Sequence, residues 1–311
     1  MIDRVTLEAA LLERYARFSL YNSPYPAHDG GRAIDLYPGT RRDGRTTAAP
    51  SPVSGTVLDT RTVRAPPKPY APEHDHLILL DCETEGLETG GGRSGGVIAR
   101  VLHVDPAVEP GDRIDAGDTL GRLVRAGFFA PWVDNHLHVG FRRPDQHLER
   151  ASGSLPIGLG ADFDLRPLEW GGRGTVVETG DTYAVLDRPA HPDPGRTFVG
   201  IAADGGGVLD GGIPHYEAGG VLGLGASVGL EPDPLDGASS PTTVSQNGNH
   251  LGYRTGRTIA WDDIEVTVDG TAITGLSCFC AQDGEFGAKL ICPGVDLSVG
   301  ASVRVRVRPR G

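Results

Sequence analysis

Lysine is nearly absent from this 311-residue chain: Lys68 and Lys289 are the only two. Arginine supplies the rest of the 29 basic residues, against 41 acidic ones, for a formal charge of −12. That balance argues against a nucleic-acid partner, which would need a basic patch. An acidic, lysine-poor surface suits a salt-rich cytoplasm, and it equally suits the codon bias of a GC-rich genome; both readings stand. Long apolar runs are missing too, so no span crosses a membrane as a helix. The N-terminus lacks a basic region followed by an apolar run, so no signal peptide is expected and the expectation is a soluble, cytoplasmic protein. Only four cysteines occur, Cys82, Cys278, Cys280 and Cys292. They lack the two-residue spacing of a zinc knuckle and read as reduced and structural, with a bridge or metal site among the last three as the alternative. Sustained helical periodicity is scarce, whereas 46 glycines and 24 prolines punctuate the chain. This combination implies β-structure with many turns.

One exception is the N-terminus, where Leu7, Leu11, Leu12, Tyr15 and Phe18 recur at helical spacing and predict an amphipathic helix over 3–20. Short strands follow at Ala33–Tyr37, His76–Asp81 and Val97–Val104, and Ala49–Leu58 enters another through a tight turn. A glycine-rich hairpin is expected at Glu88–Gly96, and a second hairpin from Val108 to Leu123. The expected organisation is an N-terminal helix over 1–22, a β domain over 23–150, a linker over 151–172 and a smaller β domain over 173–311. In that last part, strands are expected at Thr175–Glu178, Tyr183–Leu186, Thr197–Ala202, Ile264–Val268, Ala272–Phe279, Lys289–Cys292 and Ser302–Arg308, with a surface loop over 230–248. They suit a small sandwich or barrel.

The chemistry concentrates in Trp132-Val133-Asp134-Asn135-His136-Leu137-His138-Val139. Strand residues two apart share a face, so His136 and His138 lie side by side. Neutral imidazole is the commonest protein ligand for zinc. Asp35, between Ile34 and Leu36, is a carboxylate in an apolar strand, costly to bury unless paired or bound to a metal. The bland alternative is hydrogen-bonded core or loop residues at each position. A second pair, His74 and His76, lacks a companion carboxylate in a matching pattern and reads as non-ligating. The segment Asp210–Gly220, with His215, Tyr216 and Glu217, reads as a glycine-rich loop that either reaches into a cleft or is a turn with surface polar residues.

Taken in order, these residues form a pattern: aspartate in Ile34-Asp35-Leu36, then Pro52-Val53-Ser54-Gly55-Thr56-Val57, a strand ending in His103, the Gly111-Asp112 and Gly117-Asp118 repeats, then His136-Leu137-His138-Val139. Over about residues 24–143 this resembles the lysostaphin/LytM-type zinc metallopeptidases, the M23 class. The Gly-Asp repeat alone is shared with biotinyl and lipoyl carriers, but neither lysine falls within 111–121, which removes the swinging-arm reading. The resemblance implies an all-β fold, an M23-like antiparallel β-sandwich or hybrid barrel. It implies Zn2+ as cofactor, with Asp35 and His138 as ligands, His136 as general base, His103 stabilising the activated water or oxyanion, and a peptide or other amide as substrate. The family's first ligand, a histidine four residues before the aspartate, falls on Gly31. His28 is the replacement, seven residues before Asp35. An odd separation cannot place both on one strand face, so the chain has to turn back at Gly30-Gly31. The alternative function is a scaffold that keeps the fold without catalysis. The C-terminal half resembles no family.

Overall fold

The computed structural model describes residues 3–40, 46–83, 87–89, 96–223 and 240–310. It is nearly all β, as expected. Backbone packing groups the chain into two units: residues 1–18 with 31–163, and residues 19–30 with 164–311.

In the first unit, six antiparallel strands run in the order Arg113–Ile114, Gly55–Arg64, His74–Cys82, Val97–Leu102, Leu137–Arg142 and Ala33–Tyr37. The four residues Leu77 to Leu80 are all buried, which explains their unbroken apolar run. Leu77 and Leu79 pack with Ile98 under partly buried Val63, Leu102 and Leu148.

Three local expectations are corrected here. The 3–20 helix is instead a strand at Val5–Leu7, one helical turn at Ala9–Leu12 and a strand at Arg17–Ser19. Val5–Leu7 bonds Ile157–Leu159 on one side and Leu87–Thr89 on the other. Two ladders outweigh a helical periodicity that β-branched Val5 and Thr6 support poorly. Secondly, the stretch 108–123 is not a self-paired hairpin. Arg113–Ile114 bonds Gly55–Thr56, whereas Thr119–Leu123 pairs with Ala48–Pro50 and Val104–Pro106. Each Gly-Asp pair makes a turn of the same design. Gly111 and Gly117 both sit at φ +100°, and the Asp112 and Asp118 carboxylates accept the amides of Glu109 and Asp115. Thirdly, the expected linker contains the strands Ile157–Leu159 and Leu165–Leu168. Of the hairpin at 88–96, residues 90–95 lie outside the described residues.

The second unit holds a 12-stranded sheet over a single large core that includes Trp170, Leu186, Leu209, Leu251, Phe279 and Leu290. Tyr183–Leu186 and Ile264–Val268 match their expected bounds, and Ser302–Pro309 alternates exposed and buried residues as its Val-Arg repeat requires. The presumed loop 210–220 is the end of strand Val208–Ile213, a turn and the start of strand Ala218–Leu222. Its glycines admit aromatic rings onto the backbone: a Cβ on Gly219 would lie 2.0 Å from the Trp261 ring, and one on Gly220 would lie 2.3 Å from that of Tyr21. Part of the presumed loop 230–248 is also strand, Thr242–Gln246, which bonds Asn249–Thr255 through the Asn247-Gly248 turn. Both turn residues have positive φ, 53° and 73°, as a tight hairpin demands. Residues 230–239 lie outside the described residues. No described helix is long and apolar enough to cross a membrane.

Candidate metal centre

Strand register builds the centre. Leu137–Arg142 runs antiparallel to Ala33–Tyr37, with His138 directly opposite Asp35. Opposed residues share a face, so the two side chains meet. His138 Nδ1 lies 3.0 Å from Asp35 Oδ1. Two ligands on one tetrahedral zinc stand about 3.4 Å apart, given bonds of about 2.1 Å. Asp35 is 4% exposed. His136, the residue before the strand, brings Nε2 to 3.4 Å from the same oxygen. Its Nδ1 faces the Asp134 carbonyl at 2.9 Å, which selects the tautomer that turns Nε2 inward.

His103 stands next to this group. Its ring centroid is 5.2 Å from that of His136 and 5.7 Å from that of His138. The strand Val97–Leu102 ends just before it, and its φ of +72° lies in the left-handed region. Such a conformation costs a non-glycine residue on the order of 1 kcal/mol, so something must hold it. Asp75 does so: its Oδ2 is 2.5 Å from His103 Nδ1, and its side chain is fully buried. Burial would raise the Asp75 pKa, but the charge and hydrogen bond of His103, with the His76 amide, hold it below the usual carboxylate value. Asp75 escaped the sequence reading although it sits between the two histidines dismissed for want of a carboxylate. His74 and His76 point to the faces that Asp75 does not, and the alternation of the strand was the available signal.

An aromatic wall encloses the rings. Phe129 stacks 4.5 Å from both His103 and His136, and Tyr37 lies 4.9 Å from His136. Arg125 sits over Phe129 and donates to the Ala130 and Val133 carbonyls, and Tyr70 donates to the Phe129 carbonyl at 2.7 Å. These bonds fix a loop that has no regular structure of its own.

His28 lies on a single 3-10 turn, Pro26–His28, with Nδ1 2.9 Å from the Leu20 carbonyl. Gly30 and Gly31 follow at φ +66° and +68°, the reversal required between His28 and Asp35. His28 falls within residues 19–30 of the second unit, whereas Asp35 and His138 belong to the first. Two imidazoles and a carboxylate are a donor set that suits zinc, leaving a fourth position for water. The remaining candidates are elsewhere in the chain: His215 and Tyr216 pack ring to ring at 4.5 Å in the hairpin turn, and Glu217 is exposed. Burial pushes the His215 pKa down to about 4.

Residues 6–159 match the family model described as the N-terminal domain of DUF8155, a domain of unknown function, and residues 166–308 match that of its C-terminal domain. Both halves thus match one family. No curated protein matches the chain. Among solved structures, it is similar to the catalytic domain of the antimicrobial peptidase lysostaphin from Staphylococcus simulans. Identity is 20%, the match covers 46% of this chain and 90% of that one, and the TM-score is 0.28.

Proposed function

We propose that the chain is a zinc-dependent hydrolase that cleaves a peptide or related amide bond. The supporting observation is the strand register that sets His138 opposite Asp35, with the His136 and His103 rings beside them. The ordered motif that resembles the M23 metallopeptidases points the same way.

His28, Asp35 and His138 would hold the ion. Zinc, when bound, supplies a water of lowered pKa and polarises the carbonyl under attack. His136, its Nδ1 engaged by a carbonyl, keeps Nε2 for the site and takes the proton. His103, held at Nδ1 by the Asp75 carboxylate, turns its Nε2 to the developing oxyanion. Phe129 and Tyr37 keep bulk water from the rings, which strengthens each of these interactions. The acidic balance suits neither a nucleic-acid nor a membrane partner.

The test is metal analysis of the purified protein joined to a peptide-cleavage screen. One zinc per chain is expected, lost in His138→Ala and retained in His136→Ala, with cleavage abolished in both. A protein that holds no zinc when supplied with it refutes the hydrolase and leaves a scaffold.

A further inference from the structure

The strand Ser302–Pro309 carries Arg304, Arg306 and Arg308 on its exposed face. Residues of one face recur about every 7 Å along a strand. Arg304 lies directly opposite Arg173 in the antiparallel pair with Arg173–Gly180. Like charges opposed across a sheet are destabilising. Arg308 is neutralised by Glu265 at 2.8 Å, but among the described residues no carboxylate pairs with the guanidinium of Arg173, Arg304 or Arg306, although the Arg304 backbone amide donates to Asp269 Oδ1 at 2.9 Å. In a chain with twelve surplus negative charges, three adjacent unneutralised guanidinium groups are an uncompensated cost.

A cavity of about 270 Å3 runs along this row. Gln246, Asn247 and Asn249 of the neighbouring turn wall it too, with Trp170 and Gly172. That wall is rigidly built. Gln246 Nε2 and Asn247 Nδ2 donate to the Trp170 carbonyl at 3.1 and 2.7 Å, and the amides of Asn247 and Gly248 donate to the two Asp204 oxygens. The indole is itself buried, with Nε1 donating to the Arg173 carbonyl, so no exposed aromatic ring is offered for a base to stack on.

We infer that this cavity is an anion site for a small polyphosphorylated ligand, with two phosphoryl groups spanning Arg304 and Arg306. The planar guanidinium fork matches tetrahedral oxyanions in bidentate fashion. Two arginines about 7 Å apart select two linked phosphoryl groups over one. The site is independent of the metal centre and of the hydrolase reading.

Isothermal titration of the full chain at low salt with tripolyphosphate tests it, beside inorganic phosphate and tricarballylate. Saturable one-to-one binding is expected, at least tenfold tighter than for inorganic phosphate. Arg304→Ala and Arg306→Ala should each weaken it at least tenfold, and Arg308→Ala less than threefold because Glu265 already neutralises that side chain. Circular dichroism checks folding, and Arg306→Gln, which keeps the aliphatic stem and a neutral NH2 donor but removes the charge, should fail like Arg306→Ala. No saturation, equal affinity for tripolyphosphate and tricarballylate, or folded Arg304 and Arg306 variants that bind as the parent does would overturn the inference.

Discussion

Two buried carboxylates, one in each unit, occupy the same kind of position and meet different partners. Asp35 lies mid-strand between Ile34 and Leu36, and Asp210 lies mid-strand between Leu209 and Gly211. Asp35 faces imidazole nitrogens of His138 and His136. Asp210, fully buried, accepts from Ser19 Oγ at 2.5 Å and from the amides of Leu20 and Tyr21 at 2.6 and 3.2 Å. It thereby pins the start of the segment 19–30, which Asn22 Nδ2 also ties to Ser277 Oγ and the Cys278 carbonyl. Burial alone does not mark a functional carboxylate. Partners that can exchange for a cation differ from partners that are fixed donors of the fold.

Breaking the structural member of this pair should have the largest effect. Asp210→Ala strands three buried donors, each worth about 1–3 kcal/mol, so urea unfolding should register a loss of about 4 kcal/mol. Asp35→Asn, by contrast, keeps the side chain's shape and a carbonyl acceptor beside the His138 and His136 rings, so the apoprotein should stay within about 1 kcal/mol of its original stability.

The pH dependence sharpens the same contrast. Burial raises the Asp210 pKa to about 6, against the opposing hydrogen bonds of Ser19, Leu20 and Tyr21. The folded state therefore keeps a proton that the unfolded chain releases near pH 4, and this contribution to stability is lost as pH rises from about 4 to about 6. It is on the order of 3 kcal/mol. His215, pushed down to about 4, acts in the opposite sense: its contribution is lost as pH falls from about 6.5 to about 4, by a similar amount. The two slopes oppose one another in the parent protein. Unfolding free energies measured across this range should fall towards acid in Asp210→Asn and fall towards neutrality in His215→Phe. Parallel slopes in the two variants would show that neither group titrates as its burial requires.

On the metal side, Asp35→Asn should weaken zinc binding by about 100-fold, read by competition with a chelator. The smallest effect belongs to Asp75→Asn. It removes the charge behind His103 while leaving the proposed ligands untouched, so cleavage should slow by about tenfold with zinc content unchanged. Equal losses of zinc in both variants would mean that Asp75 acts on the centre as a whole.

Local signals carried part of this. Unbroken apolar residues from Leu77 to Leu80 announced a buried strand, and the Val-Arg alternation at 302–308 announced a half-exposed one, because burial on two faces or one leaves that imprint on composition. The Ile-Asp-Leu and His-Leu-His motifs marked residues that register sets opposite each other, and the Gly30-Gly31 reversal was foreseeable since only glycine enters that region freely. What tertiary structure alone decided was pairing. Val5–Leu7 became a strand because edges distant in sequence offered it ladders, and the glycine-rich stretch 208–222 became a hairpin because Trp261 and Tyr21 fill the space its missing side chains leave. Asp75 and Asp210 acquired opposite roles for the same reason: a carboxylate's function depends on which donors the fold brings within 3 Å, and those donors lie 28 and about 190 residues away.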